Sequence, residues 1–76
     1  MKTMTCRQLG GACDLEFHAE SFEEMAELSK QHGMEMFKKG DNDHLVAMQK
    51  MQENMKTPEQ MMTWMEEKRA IFNALP

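Results

Sequence analysis

Cys6 and Cys13 stand on either side of Gly10-Gly11, with six residues between them, and each lies in a short stretch of extended character. A Gly-Gly pair between two such stretches is a hairpin signal, because a tight two-residue turn needs positive φ. The reading places strands at residues 2–8 and 13–18. Side chains alternate along a strand, so Met4, Cys6 and Gln8 share one face of the first strand and Cys13, Leu15 and Phe17 one face of the second. Both cysteines are then expected to point towards the rest of the molecule, with Asp14, Glu16 and His18 pointing away.

The remainder reads as three helices. Ser21-Phe22-Glu23-Glu24 fits a capping box at the start of the first, and Lys38-Lys39-Gly40 fits its end. Phe22, Met25, Ala26, Ser29, His32, Gly33, Met36 and Phe37 follow helical spacing and form the expected buried stripe. Asp41 or Asp43 caps the second helix, whose stripe is Leu45, Met48, Met51, Gln52 and Met55. Thr57-Pro58-Glu59-Gln60 opens the third with a cap, a first-turn proline and a Gln at the third position. Met61, Trp64, Met65, Lys68, Ile71, Phe72 and Leu75 line it. The short link at residues 56–58 favours an antiparallel helical hairpin. The expected architecture is α+β: a two-stranded hairpin packed on three helices in a single domain over residues 1–76. Residues 1–40 form a Cys/Cys/His hairpin–helix unit, and residues 41–76 a Met-rich helical hairpin.

Seventy-six residues support only a small core. A net charge of -4, from nine basic and thirteen acidic residues, leaves no basic stripe to neutralise phosphates, so nucleic acid is not expected as a partner. No apolar run is long enough to span a bilayer, and the N-terminus lacks the apolar centre of a secretory signal. A cytoplasmic location is expected. In a reducing compartment two cysteines point to free thiols, redox work or metal more often than to a structural disulfide.

Three readings of the cysteines stay open at this level. Thiolate and imidazole are preferred zinc ligands, and His32 lies on the inward stripe of the adjacent helix. The spacing differs from that of the common zinc finger, where two to four residues separate the cysteines. Buried free thiols packed against the helix are the second reading, and a reversible cross-strand disulfide is the third. His32 alone on an apolar stripe also fits a hydrogen-bonded core histidine. His44 stands in the first turn of the second helix, a position expected to be exposed, yet it can swing back to supply a fourth ligand. Glu35, a water or a second subunit are the alternatives. His18 faces away.

The eleven methionines admit a copper(I) reading, since thioether is a soft ligand, but their spacing is that of helix packing stripes. Met61, Met62, Trp64 and Met65 are too closely spaced for all to face one core, which predicts an apolar contact surface and a homodimer centred near Trp64. No C-x-x-C motif, phosphate loop or facing carboxylate pair is present. Enzymatic activity is not expected.

Met1-Lys2, Cys6-Arg7-Gln8-Leu9-Gly10, Cys13, Glu23-Glu24 and His32 together resemble a short bacterial family of unknown function, described as predicted small metal-binding proteins. The resemblance covers about the first half of the chain. It implies a metal held by Cys6, Cys13 and His32, zinc being the expected ion. Many relatives carry a second His about one turn beyond the first, where this chain has Met36 and Phe37. That departure admits a degenerate site, one shared between subunits, or a fold kept without metal. The Met-rich segment from His44 onward reads as an extension that the short relatives lack.

Overall fold

The computed structural model describes all 76 residues. Strands β1 (Lys2–Thr5) and β2 (Glu16–Ala19) are followed by helices α1 (Phe22–Lys39), α2 (Asn42–Asn54) and α3 (Pro58–Ala74). The strands pair antiparallel, with Met4 opposite Phe17 and Thr3 opposite His18. Met4 and Phe17 are buried, whereas Asp14, Glu16 and His18 are exposed, so the strand faces are as expected.

The strands are shorter than the sequence suggested, and neither cysteine lies on one. The chain leaves β1 at Cys6, whose φ and ψ of -52° and -43° are helical, and enters a 3-10 turn over Arg7–Leu9. The cause is local. Thr5 Oγ1 accepts a hydrogen bond from the Gln8 amide at 3.1 Å, and Gln8 Oε1 accepts from the Thr5 amide at 2.8 Å. Thr5-Cys6-Arg7-Gln8 is therefore a reciprocal capping box, and it starts a helical turn where alternation alone predicts strand. Gly10 ends the turn at φ 97°, a conformation that favours glycine. Gln8 and Leu15, both assigned inward, are consequently exposed.

Helix starts follow the sequence closely. Ser21 Oγ accepts from the Glu24 amide, and Asp41 rather than Asp43 caps α2. Thr57 and Gln60 complete the expected capping box at α3, with Pro58 in its first turn. The apolar core comprises Met4, Cys6, Leu9, Phe17, Ala19, Phe22, Met25 and Phe72. The last turn of α3 is held against the hairpin and the start of α1. Phe72 packs edge-on to Phe22 with ring centroids 6.0 Å apart. Lys2 Nζ donates to the carbonyls of Phe72 and Asn73 in the last turn of α3, the end of a helix where carbonyls run out of intrahelical donors. Arg69 pairs with Glu23 at 2.8 Å.

The expected helix stripes are only partly buried. Phe37 is 63% exposed, as are Met61 at 50% and Ile71 at 42%. In α2, Gln52 is exposed and Leu45, Met48, Met51 and Met55 are half-buried. Periodicity identified the faces correctly, but a four-residue-per-strand hairpin is too small to cover three of them.

Candidate metal centre

The loop between the strands is built around the Cys6 backbone. Its carbonyl accepts from the amides of Leu9 (3.1 Å) and Gly11 (2.8 Å), its own amide donates to Leu15 O at 2.8 Å, and the Arg7 amide donates to Cys13 O at 2.9 Å. These bonds fold the loop back on itself and bring Cys13 beside Cys6. Gly11 is required by space: a Cβ at that position would overlap Cys6 Sγ. The two glycines, expected to form one simple turn, thus have separate tasks, one conformational and one steric.

His32 occupies the buried stripe of α1, two turns after Met25. Its Nε2 lies 3.3 Å from Cys13 Sγ, and its ring meets that of Phe17 edge-on at 5.6 Å. His44, expected to be exposed, is only 5% exposed. Its Nε2 lies 3.6 Å from Cys6 Sγ, and its ring sits 5.2 Å from that of His32. The reason is again a cap. Asp41 Oδ2 accepts from both the His44 amide (3.1 Å) and His44 Nδ1 (2.6 Å). The N-cap carboxylate therefore turns the imidazole back over the end of α2 and towards the loop. With Nδ1–H donating to Asp41, Nε2 is left as the free acceptor facing the thiols.

One donor atom from each of Cys6, Cys13, His32 and His44 lies within 4.8 Å of the other three. Around a tetrahedral zinc, the standard Zn–S and Zn–N lengths put sulfur and nitrogen about 3.6 Å apart. The two sulfur–nitrogen contacts here, 3.3 and 3.6 Å, lie within about 0.3 Å of that length. All four residues are buried or half-buried, both cysteines are free thiols, and no buried side-chain polar atom lacks a hydrogen-bond partner. Glu35 is exposed, and His18 Nδ1 is 2.9 Å from Thr3 Oγ1 on the far face. Neither belongs to the cluster.

The electrostatics divide the two thiols. Burial pushes Cys6 up from the ordinary thiol value. Burial also acts on Cys13, but the backbone N–H of Leu15, together with His44 and the Cys6 thiol, outweighs it and draws Cys13 down. The hydrogen bond to Asp41 raises His44, and the same bond holds Asp41 low. Of the two thiols, Cys13 is therefore the one whose surroundings ease loss of its proton. Asp41 was assigned from sequence only as a cap. The signal for its second role was its spacing, Asp41-x-x-His44, which places an N3 side chain beside the N-cap.

No helix is long and apolar enough to cross a membrane. No protein-family model, curated protein or solved structure matches the chain. The clustered donors therefore stand on their own geometry: two cysteines and two histidines, brought together from a loop and two helices, that can hold a metal ion.

Proposed function

We propose that this chain is a small, non-enzymatic metal-binding protein that holds zinc through Cys6, Cys13, His32 and His44. The observation that carries the reading is the convergence of these four donors within 4.8 Å. Two sulfurs and two nitrogens are a donor set that suits zinc, and four protein ligands would close the coordination shell, as in structural rather than catalytic zinc sites. Asp41 supports it as the carboxylate that orients a ligating imidazole, an arrangement common around zinc. The resemblance of the first half of the chain to predicted small metal-binding proteins points the same way. His44 takes the place of the second histidine those proteins carry further along the first helix. Free thiols of this kind suit a reducing compartment such as the cytoplasm.

Metal uptake removes the Cys6 proton that burial otherwise retains, so affinity falls as the solution is acidified. Protein purified without a tag or added metal should contain about one zinc per chain. Cobalt(II) should give thiolate charge-transfer absorption and tetrahedral d–d bands. Cys6→Ser or Cys13→Ser should abolish them, and His32→Ala or His44→Ala should distort them. Metal-free protein with no spectral response to cobalt and no zinc uptake overturns the reading. Self-association through the Met-rich helices is part of the same proposal, supported by Met61, Met62 and Ile71 exposed on α3. Sedimentation equilibrium showing only monomer at high micromolar concentration would remove it.

A further inference from the structure

The methionines that the metal centre does not use enclose a space of their own. A cavity of about 340 Å³ lies between the Cys6–Gly11 loop and the three helices, walled by Phe22, Met48, Met51, Met55, Trp64 and Met65. A second apolar hollow of about 290 Å³ continues along α1 and α2, past Met34 and Phe37. The two share Lys30, Gly33 and Met48 as a common border. Gly33 offers no side chain there, and a Cβ on it would only touch Met48 Cε at 3.5 Å, so the hollows meet over bare helix backbone.

Charge on this trough is sorted. Thirteen acidic residues against nine basic ones leave the chain negative, yet no Asp or Glu lines either hollow, while Lys30 stands at their border and Lys38 at the outer end. Neither lysine is engaged in an ion pair. An apolar trough of ligand size whose only free charges are cations at its border and outer end complements an apolar tail with an anionic head. Methionine walls adapt to a flexible chain better than branched residues do.

We propose that the trough binds a medium-chain fatty acid as its carboxylate, the tail among Met48, Met51, Met55 and Met65 and the head at Lys30. Because Cys6 and His44 also border the cavity, the tail would lie beside the metal centre. The proposal does not depend on a metal being bound.

The test is a titration of the full chain, labelled with ¹³C-methyl methionine, with decanoate below its micelle concentration. Binding should saturate with a Kd of about 0.1 mM or tighter, the range open to a ligand of this size. The methyls of Met48, Met51, Met55, Met61 and Met65 should shift together, while those of the exposed Met1 and Met62 stay still. Lys30→Glu should weaken decanoate roughly tenfold and reverse the preference in favour of decyltrimethylammonium. Gly33→Leu fills the border between the hollows and improves helix propensity; folded by circular dichroism, it should bind no decanoate. Four results would each overturn the proposal: no shift below micelle formation, shifts spread to Met1 and Met62, equal binding of the anionic and cationic amphiphiles by the unmodified chain, or decanoate binding undiminished in folded Gly33→Leu. A trough closed by a second copy would show itself as methyl shifts that follow protein concentration and ignore decanoate, and would overturn it as well.

Discussion

The hairpin with α1 and the segment formed by α2 are fastened by different forces. Seven of the eight apolar core residues lie between Met4 and Met25, and only Phe72 comes from later in the chain. The one buried residue of α2 is His44. The first region is held by area removed from water, a non-directional force that tolerates small adjustments. Helix α2 is held at its first turn by a directional polar cluster, and its methionines lie half-buried along the trough. A ligand site that also serves as the main attachment of a helix makes binding energy into local folding energy.

The largest expected effect sets these regions apart directly. Removing the proposed metal, by chelation or by Cys13→Ser at the half-buried ligand, should raise amide exchange in α2 on the order of a hundredfold while the hairpin and the first turns of α1 change far less. Equal loss of protection in both would break the comparison and make the domain one cooperative unit. Similar in size, Phe72→Ala should cost about 3 kcal/mol of unfolding free energy, because Phe72 is the single buried anchor of α3. Phe37→Ala, at a position 63% exposed, should stay within about 0.5 kcal/mol. Denaturant titrations of both variants would decide, and similar losses would mean that Phe37 is covered in solution.

A smaller effect sharpens the polar side of the comparison. Asp41→Asn keeps a capable helix cap but removes the charge that orients His44, and should weaken metal about 10- to 100-fold in competition with a chelator. Unchanged affinity would leave Asp41 as a cap alone. The smallest effect concerns the α1–α3 pair. Arg69 holds Glu23 below its ordinary value of 4.5. A carboxylate depressed on folding stabilises above its unfolded value, and that contribution is lost as the pH falls through the lowered one. The stability difference between the parent chain and Glu23→Gln should therefore be present above pH 4.5, shrink below it, and be small throughout because the pair is exposed and screened by salt. A difference that grows on acidification would contradict the pairing.

Helix positions were legible because caps are local. Ser21, Asp41 and Thr57 each act on an amide three residues ahead, so a four-residue window contains the whole interaction. The same window at Thr5-Cys6-Arg7-Gln8 held the turn that ends β1, but alternating polarity pointed to strand and the reciprocal bonds of Thr5 and Gln8 prevailed. All four candidate ligands were legible as residue types. The burial of His44 was not, since it depends on one carboxylate oxygen serving both a backbone amide and an imidazole. Nor was the incomplete burial of the methionine stripes. Spacing states which face of a helix is apolar and carries no information about whether enough partner surface exists to cover it.

Gly11 carries no functional group, yet it decides whether the four ligands can meet. The Cys6 sulfur occupies the room that any side chain at position 11 would need. Gly11→Ala would leave both cysteines, both histidines and Asp41 in the sequence and still force the thiol or its loop aside. A search for proteins of this kind by their candidate ligands would then accept a chain in which a single methyl group had pushed the four donors apart. Position 11, which has no chemistry, is the more discriminating letter.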